Sequence, residues 1–185
     1  MIDDLLQDAR EHMEKSVEAT RQKFQSVRAG RASPALLDRI NVDYYGTMTP
    51  LRQMATVNAP EPRLLTVQPY DKSSIKAIER AIMESDLGLT PNNDGQIIRL
   101  QIPELTEERR KQLVKVVRQL TEEGKIALRN IRRDTMHDLK ELRDAGEAGA
   151  DDEHRAEEAL QRLTDEKVKE LDALLKGKEA EILEV

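Results

Sequence analysis

All seven prolines of this 185-residue chain, at positions 34, 50, 60, 62, 69, 91 and 103, fall inside one stretch, with long proline-free segments on either side. Proline fixes φ and lacks the N–H that an interior helical turn needs. Long helices are therefore confined to the flanks, and the middle must be built from strands, turns and short helices. A chain whose two textures are segregated in this way belongs to the α+β class.

The flanks carry helical periodicity. Over residues 2–29, Ile2, Leu5, Leu6, Ala9, Met13, Val17, Phe24 and Val27 recur near spacings of three and four, which predicts an amphipathic helix that ends at Gly30. A second helix is predicted from a Thr106 cap, with Glu107 and Glu108 in its first turn, to about Asp144. Along it Leu113, Val117, Leu120, Gly124, Ala127 and Ile131 step by four and three as a heptad seam. Gly124 lowers helix propensity by about 1 kcal/mol relative to Ala. Its place on the seam beside Ala127 implies that a neighbouring helix approaches closely there. Residues 145–150 read as a flexible connection, and Asp151 or Asp152 as the cap of a last helix to about Leu183. Its buried candidates are Ala156, Leu160, Leu163, Leu171, Leu175 and Ile182.

Between the flanks, Leu37–Tyr45 reads as a strand, with Gly46 turning the chain into Thr47-Met48-Thr49. Of Tyr44 and Tyr45, one is expected to face the core and the other solvent. Ala55–Ala59 and Leu64–Gln68 are further strand candidates, Asp71–Ser85 a helix capped by Asp71 or Ser73, Pro91–Gly95 a turn, and Ile97–Ile102 a last strand. Three long stripes must bury one another. The expected architecture is thus an elongated antiparallel three-helix bundle of residues 1–29 and 105–185, with an α+β domain of residues 30–104 inserted between its first two helices. Two connections, near Gly30 and Pro103, make a bent, two-lobed molecule with a possible hinge. Aromatic residues make up only 2% of the chain, which suits a narrow aliphatic seam better than a broad core.

Composition excludes several chemistries. Without cysteine there is no disulfide framework, no thiolate zinc or iron–sulfur site and no thiol nucleophile. No apolar run approaches a membrane span. Met1-Ile2-Asp3-Asp4 is acidic where a secretory leader would be basic, so the expected location is cytoplasmic. No phosphate-cradling glycine loop or Gly-x-Ser-x-Gly elbow occurs. His137 and Glu141, four apart, read as an ordinary helix-surface pair, so no metal site is expected. The reading is of a non-enzyme without a cofactor.

Charge is distributed unevenly. The chain as a whole carries −6. Residues 109–133 hold nine basic residues against Glu122 and Glu123, a net of +7, whereas residues 134–185 hold eight basic against 17 acidic, a net of −9. Lys111, Lys115, Arg118, Lys125, Arg129 and Arg132 recur by fours, threes and a seven along the second long helix, with Arg110 and Arg133 beside them. The row is expected to point away from the core. A helix face of nearly one sign fits a polyanion, and its arginines suit bidentate phosphate contacts. Interleaved aromatics are absent, which favours structured RNA over single-stranded bases. A coiled-coil adaptor or holdase binding other proteins is the rival reading.

Three stretches carry a resemblance that spans essentially the whole chain. Val27-Arg28-Ala29-Gly30-Arg31-Ala32-Ser33-Pro34 at the first junction, Tyr44, Gly46, Thr49, Pro50 and Leu51 in the hairpin, and Arg129-Asn130-Ile131-Arg132-Arg133-Asp134 in the basic helix are similar to the ribosome recycling factor family. The resemblance implies an L-shaped, transfer-RNA-sized monomer of bacteria and organelles, with a hinged β/α/β insert. It implies a translation factor that binds the post-termination ribosome at large-subunit ribosomal RNA on the inter-subunit face. With elongation factor G, which hydrolyses GTP, it splits the subunits, and an initiation factor then keeps them apart. Carried onto this chain, Arg129, Arg132 and Arg133 are the foremost RNA contacts, extended by Lys125, Arg118, Lys115 and Lys111. Arg28, Ala29, Gly30, Arg31, Pro34, Pro103 and Glu104 mark the hinge.

Overall fold

In a computed structural model of the chain, which describes residues 1–27 and 30–183, the first helix, α1 (Ile2–Gln25), buries Ala9, Met13, Val17, Thr20 and Phe24 along one stripe. It stops four residues before the predicted end. Arg28 and Ala29 lie outside the described residues. Two compact units follow from the contacts: Met1–Phe24 with Val114–Val185, and Gln25–Leu113.

In the first unit α1 packs with the long helices α4 (Glu107–Asp144, from Val114 onward) and α5 (Ala150–Leu183). Their shared core is Ala9, Met13, Val17, Leu128, Leu139, Ala156, Leu160, Leu163 and Leu171. Cross-helix pairs set the directions. Lys125 meets Asp172 and Arg143 meets Glu153, so α4 and α5 are antiparallel. Lys167 lies near Glu14, and Gly124 sits between Thr20 and Leu171, which runs α1 parallel to α5. The expected flexible connection is an ordered turn. Gly146, at φ +74°, donates to Arg143 O (3.0 Å) and Glu147 to Leu142 O (2.9 Å), a Schellman closure of α4. Helix α5 starts at Ala150, so Asp151 and Asp152 lie in its first turn, where their charge opposes the helix dipole, rather than at its cap.

The predicted seam of α4 is shifted. Leu113, Val117 and Gly124 are buried as expected, but Thr121, Leu128, Thr135 and Leu139 continue the stripe, while Leu120, Ala127 and Ile131 are only half-buried at its edge. Threonine escaped an apolar count. Inside this bundle it costs little, because each buried hydroxyl donates back to the carbonyl four residues earlier. Thr20 reaches Ser16 O (3.2 Å), Thr121 reaches Val117 O (2.8 Å), Thr135 reaches Ile131 O (2.9 Å) and Thr164 reaches Leu160 O (2.8 Å).

The second unit holds a four-stranded antiparallel sheet in the order β3-β4-β6-β5. Its strands are β3 (Ala55–Glu61), β4 (Leu64–Pro69), β5 (Pro91–Asn93) and β6 (Ile98–Gln101). A separate hairpin pairs β1 (Asn41–Tyr44) with β2 (Thr47–Pro50). Helix α3 (Ile75–Glu84) buries Ile75, Ile78 and Ile82 in a core with Leu65, Val67, Ile98, Leu100 and Ile102. Asp71 caps the turn that leads into α3, accepting from Ser73 N (2.9 Å).

Two expectations fail here, and one element is unannounced. The first strand does not begin at Leu37: Ser33 Oγ accepts from Ala35 N and caps a 3-10 turn over Pro34–Leu37, which buries Leu36 and Leu37 instead. Leu51–Met54 forms a short helix, α2, that no pattern announced. Pro91–Asn93 is not turn but strand, paired with Ile98–Leu100 at the sheet edge, where proline's missing N–H costs no ladder bond. The turn itself is confined to the residues after Asn93. There the Asp94 carboxylate accepts from Gln96 N and Ile97 N (both 2.9 Å) and pairs with Arg99 (3.0 Å). These donors, the Ile97 N–H foremost, hold its pKa down to about 2.

Candidate nucleic-acid interface

The basic residues of α4 stand where helical geometry puts them relative to the shifted stripe, and that divides them into two rows. At about 100° per residue, Arg118, Lys125 and Arg132 lie about 50–90° from the centre of the buried stripe, on its α5 side. Lys115, Arg129 and Arg133 lie farther round and face solvent. The expectation that the whole set points away from the core is therefore corrected for the inner row.

The inner row is tied to α5. Arg118 Nε lies 2.7 Å from Glu179 Oε1 and Lys125 Nζ 2.6 Å from Asp172 Oδ1. Arg132 is half-buried. Its guanidinium donates to Gln161 Oε1 (2.7 Å), and the Gln161 amide donates on to Asp165 Oδ1 (2.9 Å). Among the described residues the Arg132 Nε is buried without a partner. Only 22% of the Lys125 side chain is exposed, against 64% for Arg118. These are contacts between the flanks of two packed helices, as at the edges of a coiled-coil seam.

The outer row is open. Arg129 meets Glu122 at 3.3 Å on its own helix, and Arg133 lies 3.7 Å from its neighbour Asp134 with three quarters of its side chain exposed. Lys115 has no ion-pair partner among the described residues. Such exposed pairs are worth little, so these cations are available to phosphates at small cost. Lys111, whose turn of α4 belongs to the second unit, is exposed and 3.5 Å from Glu107. His137 Nε2 and Glu141 Oε1 form an exposed pair at 3.2 Å. Among the described residues no cluster of His, Asp or Glu is placed to hold a metal, and no helix is long and apolar enough to cross a membrane.

The junction residues within the second unit are brought together by a turn that sequence reasoning missed. Pro62-Arg63, between β3 and β4, binds both chain connections. Pro62 O accepts from Ala32 N (2.7 Å), Arg63 O accepts from Ile102 N (2.8 Å), and the Arg63 guanidinium lies 3.0 Å from Glu104 Oε1. Gly30, at φ +79°, lies where a Cβ would be 3.7 Å from Leu105 Cδ1, so its conformation rather than crowding calls for glycine. Pro34 opens the 3-10 turn, and Arg31 and Pro103 are exposed. At the hairpin, Tyr44 packs against the core and its hydroxyl donates to Asp71 Oδ2 (2.8 Å), while Tyr45 is 82% exposed at φ +51°. One tyrosine inward and one outward is what alternation predicted. The Asp71 carboxylate is held below its usual range by the Ser73 hydroxyl and then by Tyr44, and the Tyr44 hydroxyl is raised in turn.

The signal that could have found the α5 partners was present in the sequence. Acidic residues seven apart on the last helix, Asp165, Asp172 and Glu179, match basic residues seven apart on the other, Arg118, Lys125 and Arg132.

The family model described as Ribosome recycling factor matches residues 20–183. A ribosome-recycling factor of Rubrobacter xylanophilus is 57% identical over 180 residues, with 97% of each chain covered. That of Thermomicrobium roseum is 54% identical over 185 residues, covering all of both chains. Among solved structures, a ribosome recycling factor in solution matches with a TM-score of 0.77 and 38% identity, covering 100% of this chain and 98% of that one. A Thermus thermophilus ribosome recycling factor, described together with Escherichia coli elongation factor G bound to the E. coli post-termination complex, matches with a TM-score of 0.68 and 48% identity, covering 99% of each.

Proposed function

This chain belongs to the ribosome recycling factor family, and we propose that it is a cytoplasmic translation factor that takes apart the post-termination ribosome together with elongation factor G, the partner that hydrolyses GTP. Family membership at full length carries this reading. The relative solved in the setting of elongation factor G and the post-termination complex supports the choice of partners.

The chain's own residues supply the means of binding. The exposed Lys115, Arg129 and Arg133 on α4 make the first contacts with large-subunit ribosomal RNA phosphates. Arg118, Lys125 and Arg132 extend that set within the first unit, and Lys111, in the second unit, is a further RNA contact. Arginine suits this work because its planar fork can hold two phosphate oxygens, whereas an ammonium acts as a point charge. No reacting group is needed on this chain, since its task is to bind and to transmit a displacement. Arg28, Ala29, Gly30, Arg31, Pro34, Pro103 and Glu104, whose numbers all fall within the second unit, are the proposed hinge, about which the chain reorients while the bundle stays on RNA.

Co-sedimentation with large ribosomal subunits over a salt series tests the binding step. The wild-type slope of log affinity against log salt is expected to be negative, and Arg133→Ala to make it shallower by about one phosphate's worth, roughly 0.9. Arg133→Lys should recover part of the affinity. Salt-independent binding, or a slope and affinity unchanged in a well-folded Arg133→Ala protein, would remove this face from the RNA contact and return the adaptor reading to the front.

A further inference from the structure

The inner row of α4 cations is paired with a matching row of α5 acids, an arrangement that charge-driven RNA binding does not call for. A step of seven residues along α4, from Arg118 to Lys125, is answered by a step of seven back along α5, from Glu179 to Asp172, at 2.7 and 2.6 Å. The next step continues the pattern, with Arg132 reaching Asp165 through Gln161. Among the described residues the outer row has no α5 partner. Thus in the free protein the half of the cationic face that borders α5 is held by partners on another helix, whereas the half that faces solvent pairs only within α4, Arg129 with Glu122 and Arg133 with Asp134.

We propose that Asp172 and Glu179 are selectivity residues, which withhold Lys125 and Arg118 from indiscriminate polyanions and release them only to RNA whose phosphates are placed to replace both carboxylates. The inference rests on the proposed RNA-binding reading and adds to it.

Its physical basis is competition. An arbitrary RNA meets Lys115, Arg129 and Arg133 with whatever phosphates happen to be near. To recruit Arg118 and Lys125 it must also displace a carboxylate from each. That displacement leaves Asp172 and Glu179 unpaired beside the arriving phosphates, a repulsive element built against poorly fitting partners. A rigid ribosomal surface that presents phosphates at both positions at once offsets the repulsion with two charge-assisted contacts. Half-burial sharpens the effect for Lys125, whose stem is packed and whose head can exchange Asp172 for a phosphate only along its exposed edge.

The test uses the full chain and two RNA probes, a non-ribosomal RNA duplex of about 20 base pairs and purified large ribosomal subunits. The variant is Asp172→Asn with Glu179→Gln, each close in shape to the residue it replaces. A control, Asp151→Asn with Glu166→Gln, makes the same change in net charge at exposed α5 acids that have no ion-pair partner among the described residues. In the Asp172/Glu179 variant the duplex is expected to bind at least tenfold tighter near 0.1 M salt, with a salt slope steeper by about 1.8, the value for two added phosphate contacts. The ratio of large-subunit to duplex affinity is expected to fall. The control should tighten duplex binding by less than about threefold, because its charges lie away from the cations.

Duplex affinity within twofold of wild type, in a variant whose melting temperature is unchanged, overturns the proposal. So does an equal gain in the control, which would assign the effect to net charge. Should the double variant melt early, Asp172→Asn alone carries the same comparison with about half the slope change. A wild-type protein that fails to bind large subunits would sink the proposed function instead, and the duplex comparison would still decide whether α5 masks the cations.

Discussion

Replacing Gly124 by Ala sets two effects of similar size against each other. Alanine is favoured over glycine in a helix interior by about 1 kcal/mol. Yet a Cβ at this position would stand 2.7 Å from Thr20 Oγ1 and 3.1 Å from Leu171 Cδ1, both inside the bundle. The leucine methyl is the end of a side chain that can give by a few tenths of an ångström. The threonine oxygen is short, branched and bonded to Ser16 O, so it cannot swing aside without losing that bond. Overpacking of this kind costs about 1–3 kcal/mol. Gly124→Ala should therefore be neutral to about 2 kcal/mol destabilising, despite its better helix propensity. In a Thr20→Ala background the oxygen is gone, and the same substitution should become stabilising, by up to about 1 kcal/mol. The double-mutant cycle should accordingly show a favourable coupling of about 1–2 kcal/mol, well beyond the few tenths found for independent sites. Urea unfolding of the four proteins, followed by helical circular dichroism, measures it. Additive effects, or a Gly124→Ala protein more stable than wild type, would refute the close approach of α1 to α4 at this point.

Three further outcomes are expected. Arg132→Ala should lower stability by about 1 kcal/mol in a denaturant melt, through loss of its half-buried stem and its bond to Gln161, whereas Arg133→Ala should stay within about 0.5 kcal/mol of wild type. Asp94 should titrate near pH 2 in an NMR carboxyl titration, against an unfolded value of 3.8. Because its folded pKa is depressed, its contribution to stability is complete above about pH 4 and is lost as pH falls toward 2. Asp94→Asn should flatten that part of the acid-unfolding profile, and a titration midpoint near 4 would refute the turn geometry. Arg63→Ala removes the ion pair to Glu104 but leaves the turn's two backbone bonds, so amide exchange at Glu104 and Leu105 should quicken while that at Ile102 changes little.

Much of the architecture was legible because proline and helical period act over long stretches. The confinement of prolines marked the sheet-bearing segment, and the recurrence of Ala9, Met13 and Val17, or of Ala156, Leu160 and Leu163, marked helix faces that are in fact buried. Gly124 was legible for the same reason: a glycine in a strong helix needs a neighbour to explain it, and Thr20 and Leu171 provide that neighbour. What escaped notice depended on pairing across elements. Thr121 and Thr135 are polar in a residue count and buried in the bundle, since each hydroxyl finds its own helix carbonyl; leaving them out displaced the seam toward Leu120 and Ala127. That error turned Lys125 and Arg132 outward, when both border α5. Pro91 was read as turn because an edge strand tolerates proline and a central one does not, and edge position is a property of the folded sheet. Nothing local marks the Pro62-Arg63 turn, because only the fold brings Ala32, Ile102 and Glu104 to it.

Light scattering of post-termination complexes, on mixing with the protein, elongation factor G and GTP, measures directly whether this chain takes post-termination ribosomes apart as proposed. The expected result is a fall in scattering as subunits separate, one that requires all three additions, is blocked by a non-hydrolysable GTP analogue, and slows when Arg129 and Arg133 are both replaced by Ala in a folded protein. Scattering that stays level with all three present, in a preparation that an authentic family member does split, would contradict it.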